Sequence, residues 1–193
     1  LAGTKSGQDF VINSRHHVPS FVFTASDPIS AGIIKDENDH TNPNARVTTN
    51  PTRYAKQIEL FYKMVKFKKL GMCYQDSVNG RSYSGIKFVE EAAKQYHFEI
   101  VRFFTLDDFD GKDHEEKVQS LLSCINQLTG KVDAFYLTQQ DGVDEKSLKE
   151  ITEWSIANKV KTFSQGGFDE VKQGIMMSMA PIDMKLTGEF EAK

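Results

Sequence analysis

Polar residues able to grip a small molecule collect in this chain wherever a short apolar run stops. FVFTA (21–25) ends in Ser26-Asp27-Pro28. LGMCY (70–74) ends in Gln75-Asp76-Ser77, and Asn79-Gly80-Arg81-Ser82-Tyr83 follow. VDAFYL (132–137) ends in Thr138-Gln139-Gln140-Asp141, and VKTFS (160–164) runs into Gln165-Gly166-Gly167. Hydroxyls and amides orient a polar solute without acid–base chemistry, and glycines let the backbone come close. Serine, aspartate and asparagine also cap helices, which accounts for part of the pattern. Glutamine is not a favoured cap, so Gln139, Gln140 and Gln165 ask for another partner. A helix opening near Arg81-Ser82-Tyr83 offers free N–H groups that, with Arg81, suit a carboxylate. Asp27 suits an ammonium, and Tyr83 an aromatic wall. Thr138, Gln139, Gln140 and Gln165 fix orientation, with Ser26 and Gly166 completing the candidate set.

Other chemistries fail on spacing. Read as a calcium loop with Gly111 at the sixth position, DDFDGKDHEE (107–116) puts Leu106 first and Lys117 twelfth, where acids are required. It reads instead as a solvated loop capping the helix after it. Gly111-Lys112 and Gly130-Lys131 lack the earlier glycine and the following Ser/Thr of a phosphate loop. His16-His17, His40, His97 and His114 show no HExxH spacing, and there is no GxSxG. The reading is therefore a non-enzyme with no catalytic residue, no metal ligand and no cofactor.

The elements that must hold these residues alternate. Apolar runs at 70–74, 98–104, 132–137, 160–164 and 174–180 are separated by stretches with helical spacing. Ala55, Ile58, Leu60, Phe61, Met64 and Val65 form one apolar face, and Ile86, Val89, Ala92, Ala93 and Tyr96 a second. Val118, Leu121, Leu122, Ile125 and Leu128 form a third, and Leu148, Ile151, Trp154 and Ile156 a fourth. Such alternation predicts α/β architecture: a doubly wound parallel sheet whose ligands bind at the strands' carboxyl ends. Upstream, the sequence predicts a strand at 20–25, a short helix over Pro28–Ile34 and a polar turn-rich stretch over 36–44. A short extended piece then precedes Asn50-Pro51. Residues 1–47 are too few for a core of their own and read as the remnant of an N-terminal lobe with the first crossover. Residues 48–180 read as a C-terminal α/β lobe, and 181–193 as the start of a helix returning to the first.

The chain has 193 residues, 39% of them hydrophobic and 26% charged, with net charge -3. No polybasic field argues for nucleic acid. The cluster Lys66-Phe67-Lys68-Lys69 reads as a helix-end cap. Cys73 and Cys124 are expected not to act as a strong structural staple, Cys73 lying on a strand and Cys124 on a helix. No apolar run is long enough for a membrane span. Starting at Leu1, the chain reads as part of a longer protein.

FVFTASDPISAGIIKD, KLGMCYQDSVNGRSYSGIKFVEEAAKQYHFEIV, DAFYLTQQDGV and KTFSQGGFDEVKQGIMMSMA, in that order, resemble the substrate-binding proteins of ABC transporters. The resemblance is to the group that includes tryptophan- and phenylalanine-binding lipoproteins. It implies the type I periplasmic-binding-protein fold, here one near-complete lobe plus part of a second. It implies a receptor that captures a small polar ligand, an amino acid being one candidate, and presents it to a membrane permease. It also implies a periplasmic or extracytoplasmic, membrane-anchored lipoprotein, monomeric when full length. Two rivals use similar architecture: the ligand-sensing domain of a transcription regulator, and an enzyme on a doubly wound sheet.

Overall fold

The computed structural model describes residues 3–13, 19–23, 25–38, 43–48, 52–108 and 110–180, with positions 185 and 189. The expected helix over 181–193 and the Asn50-Pro51 helix start therefore lie outside the described residues, as do His16, His17 and His40.

The first elements are α1 (Thr4–Ile12), β1 (Ser20–Val22) and β2 (Ala45–Val47). β1 and β2 pair in parallel, Val22 opposite Val47. Helix α1 packs close over them, for a Cβ on Gly7 would lie 2.8 Å from a Val22 methyl and 2.9 Å from Ile33 Cδ1. The predicted helix over Pro28–Ile34 is instead a series of turns. The Asp27 carboxylate accepts the Ser30 amide at 3.1 Å, and Gly32 takes a left-handed φ of 73°. The Ile33 and Ile34 amides then both turn back to the Pro28 carbonyl, at 2.9 and 3.3 Å. A left-handed residue so early stops helical propagation.

From residue 53 onward the alternation is realised. In order come α2 (Arg53–Val65), β3 (Lys69–Gln75), α3 (Val78–Ser84), α4 (Ile86–Tyr96), β4 (Glu99–Thr105) and α5 (His114–Gln127). There follow β5 (Ala134–Leu137), α6 (Glu145–Ala157), β6 (Lys161–Ser164), α7 (Phe168–Lys172) and β7 (Met177–Ser178). The five strands are all parallel, in the order β4-β3-β5-β6-β7. That order reverses direction between β3 and β5, the switch point where doubly wound sheets take their ligands.

Strand residues alternate between two cores, as the period of two requires. Leu70, Met72, Tyr74, Ala134, Tyr136 and Phe163 meet α2 and α4 through Ile58, Phe61, Ile86 and Val89. Cys73, Phe135 and Leu137 meet α5 and α6 through Leu121, Cys124, Ile125, Leu148 and Ile151.

Two expectations change here. The helix expected to open near Arg81 opens at Val78 behind a Ser77 cap, so Arg81 sits in its last turn. It is divided from α4 by Gly85, whose φ of 63° and contact with Tyr54 (2.6 Å from a built Cβ) exclude a side chain. The larger correction concerns the cysteines. Cys73 on β3 and Cys124 on α5 are joined by a disulfide, their Cα atoms 6.1 Å apart. Packing an amphipathic helix on a sheet brought the two within bridging range, which a separation of 51 residues concealed.

Candidate functional site

At the carboxyl ends of the strands lies a cleft of about 560 Å³, lined by Ser26, Tyr83, Asp108, Gln139, Gln140, Asp141, Val143, Gly166 and Glu170. These residues follow β1, β3, β4, β5 and β6 in turn. Five of them, Ser26, Tyr83, Gln139, Gln140 and Gly166, come from the predicted set.

The other five predicted residues do not line this cleft, and their bonds explain why. Asp27 turns inward, 8% exposed, to cap the turn described above. Its carbonyl accepts the hydroxyl of fully buried Ser82 at 3.0 Å, joining the first segment to α3. Asp27 thus takes the capping part of the expected role, while its neighbour Ser26 lines the cleft. Arg81 forms an exposed ion pair with Asp76. Thr138 donates to the Cys73 carbonyl at 2.9 Å. Gln165, 2% exposed, is spent inside the protein. Its Nε2 donates to the Ser84 carbonyl at 2.9 Å, and its Oε1 accepts the Gln139 amide at 3.1 Å. Gln165 thus found a partner other than a cap, but that partner is the scaffold.

Val143 and three carboxylates absent from the predicted set complete the lining. Asp108 follows β4, whose carboxyl end contributes no residue to the predicted set. Applying the same strand-end rule there reaches Thr105-Leu106-Asp107-Asp108. Asp113 does cap α5 as expected of that loop, in a reciprocal box with Glu116. Asp108 accepts from Gln75 Nε2 and from the Asp141 amide at 3.0 Å. Burial nevertheless raises its carboxyl above the ordinary carboxylate range, helped by the Asp141 charge. Nearly buried Lys117 counters the pair, its Nζ 3.2 Å from Asp141 and 2.6 Å from the Asp108 carbonyl.

Glu170 stands in the first turn of α7, against Gly166. A Cβ on Gly166 would lie 2.2 Å from Glu170 Oε1, so any larger residue there would displace the carboxylate from its present position. Burial raises the Glu170 carboxyl, and its Oε2 is buried with no hydrogen-bond partner in the protein. Tyr83 is raised as well, by burial and then by Asp108. Away from the cleft lining, the Tyr54 hydroxyl is also buried without a partner. Buried polar atoms are seldom left so, and one lining a cleft marks where a ligand can complete the bonding. Chemically the lining offers hydroxyl, amide and carboxylate groups, with acceptors in excess of donors. Among the described residues no group of three or more His, Cys, Asp or Glu is arranged to hold a metal ion. Among them, too, no helix is long and apolar enough to cross a membrane.

No protein-family model matches the chain, and no curated protein matches it. Solved structures do. A conserved domain protein from Vibrio cholerae O1 biovar El Tor superposes with a TM-score of 0.62 at 15% identity, covering 100% of this chain and 63% of that one. The ABC domain in complex with L-Trp from Streptococcus pneumonia gives 0.60 at 16% identity, covering 91% and 60%. A ligand-free, open substrate-binding protein with adhesive properties from Clostridium difficile gives 0.55 at 24% identity, covering 83% and 50%. The chain spans half to about three-fifths of the length of these structures. At these identities the likeness is one of fold: the parallel α/β architecture of type I periplasmic-binding proteins, as one lobe with part of another.

Proposed function

We propose that this chain is part of a non-catalytic, extracytoplasmic receptor that captures a small polar solute at the switch-point cleft and delivers it to the permease of an ABC importer. Residues 48–180 act as its C-terminal lobe and 1–47 as part of the N-terminal one. The observation that carries the reading is the partnerless, buried Glu170 Oε2 in a cleft lined by hydrogen-bonding groups. Lobe closure on the solute follows the hinge motion common to such receptors.

The lining specifies which end of the solute this wall receives. Asp108, Asp141 and Glu170 supply three carboxylates, while Lys117 is engaged with the Asp141 carboxylate and the Asp108 backbone carbonyl, and Arg81 with Asp76. An ammonium or comparable multiple donor supplies what they lack. An amino acid would present its amine here, against Gln139, Gln140, Ser26 and Tyr83. The disulfide supports an oxidising compartment, which fits an exported, membrane-anchored receptor better than a DNA-binding regulator.

Native mass spectrometry of the full-length protein as purified identifies any retained solute. Calorimetry then compares it with its analogue lacking the amine. Glu170→Gln is expected to weaken binding more than tenfold, as loss of one member of a buried charged pair costs about 2–5 kcal/mol. Equal affinity for the amine-free analogue, or an affinity unmoved by Glu170→Gln, would overturn this reading.

A further inference from the structure

Cys73 and Cys124 are 0% and 1% exposed, and each belongs to an element that holds the cleft. Cys73 lies on β3, which pairs with both β4 and β5. Its carbonyl accepts Thr138 Oγ1 at 2.9 Å and Gln140 Nε2 at 3.0 Å. Gln140 Oε1 in turn accepts Thr105 Oγ1 at 2.8 Å, tying the end of β5 to the end of β4.

Cys124 lies on α5, in a buried stripe with Lys117, Leu121 and Leu128 spaced by three and four residues. Lys117, seven residues or about 10 Å back along the helix, holds the Asp108 carbonyl and the Asp141 carboxylate. Ser120 Oγ accepts the Leu106 amide at 3.0 Å. The loop after β5 rests directly on the same helix, since a Cβ on Gly142 would lie 2.6 Å from the Lys117 carbonyl. Both segments that carry Asp108, Gln140, Asp141 and Val143 are thus seated on α5.

We infer that the Cys73–Cys124 disulfide is a positioning element for the ligand cleft: it sets where α5 lies along β3, and through Lys117, Ser120 and the Gly142 contact it holds the segments 105–108 and 139–143 in place. The inference rests on reading this cleft as the ligand site. Packing by Leu121, Ile125 and Leu128 docks the helix through many weak, non-directional contacts, to which the bridge adds one fixed covalent distance.

Hydrogen exchange tests this without a ligand, in the full-length protein bearing C73A/C124A. Core amides exchange through global opening and report stability, whereas loop amides exchange through local motion. The expected result is at least about tenfold faster exchange at the Leu106 and Asp141 amides under conditions where loop exchange is local. Faster exchange confined to core strands and helices would show a staple with no positioning role and overturn the inference. Unchanged exchange throughout would overturn it too. Should the double variant fail to fold, Lys117→Met with the bridge intact removes the Lys117 ammonium contacts while leaving those of Ser120 and Gly142. Asp141 is then expected to exchange faster while Leu106, still bonded to Ser120, does not; an Asp141 amide as protected as in the parent would refute the link. This pattern appearing in a protein that retains no solute would leave the positioning role standing and remove the solute-binding reading instead.

Discussion

The two faces of the five-stranded sheet are secured by different means. The face under α2 and α4 is aromatic. Phe61 packs against Phe67 and Phe163 with ring centroids 5.0 and 5.3 Å apart, and Tyr62 stacks on Tyr96 at 4.6 Å. Buried Tyr136 donates to Gln57 at 2.7 Å, and burial raises its phenol far above the usual range. These two helices lack a side-chain cap at the start and end on left-handed Lys66 and His97. The face under α5 and α6 is mainly aliphatic and carries the disulfide. Both its helices open with reciprocal capping boxes, at Asp113 and Asp144. Large rings bury enough area to hold a helix unaided. The aliphatic face adds a covalent tie and strong helix starts, and it is the one whose helix α5 reaches the cleft.

That contrast can be broken in order of expected effect. Phe61→Ala removes a fully buried ring from the aromatic face and is expected to cost about 3–5 kcal/mol in denaturant unfolding. A smaller loss would mean the face repacks around the gap. Removing the bridge by C73A/C124A frees a 51-residue separation in the unfolded chain and is expected to cost about 4 kcal/mol. In thermal melts that is a fall of roughly 8–16 °C for a chain of this size, with the parent shifting similarly once fully reduced. A melt indifferent to reduction would place the stability of this face in its aliphatic packing alone.

The caps come next. Asp144→Ala takes an acceptor from the Ser147 amide, 2.7 Å away, and is expected to cost about 1 kcal/mol, well below the bridge. Circular dichroism melts resolve it, and a loss equal to the bridge would mean α6 depends on its start more than on its packing. The least of the four belongs to the cleft. Glu170 titrates higher in the folded than in the unfolded chain, so the folded form binds more protons between those two values. Stability of the ligand-free protein should therefore fall as pH rises from near the ordinary 4.5 through the raised native value, and level off above it. Glu170→Gln should remove that part of the slope. An unchanged pH profile in the variant would show that the carboxylate carries no such cost.

Long periodic segments were legible because periodicity records which face is buried. The apolar faces at 55–65, 86–96, 118–128 and 148–156 became α2, α4, α5 and α6. The runs between them became parallel strands. Helices α3 and α7, of 7 and 5 residues, are too short to show a period. The cleft was legible as a region, for strand ends lie together in any parallel sheet. Which polar side chain at each end faces outward was not. Ser26 and Asp27 are neighbours in sequence, yet one lines the cleft and the other caps a turn. Gln140 and Gln165 differ likewise, the first on the lining and the second closed over by Ser84, Tyr136 and Gln139.

By itself, then, the sequence determined the alternation of strand and helix, the parallel sheet and the end of it that is polar, because burial of apolar area sets those patterns residue by residue. Only the tertiary structure decided three things. It placed Cys73 and Cys124 with Cα atoms 6.1 Å apart, gathered Asp108, Asp141 and Glu170 around one cleft, and turned Asp27, Thr138 and Gln165 into scaffold. The Asp27 cap on Ser30 is local, but the bridge, the gathered carboxylates and the Thr138 and Gln165 bonds join residues far apart in the chain. No local pattern encodes those, because a hydrogen bond or a disulfide depends on angles and distances that exist only once helices have docked on the sheet.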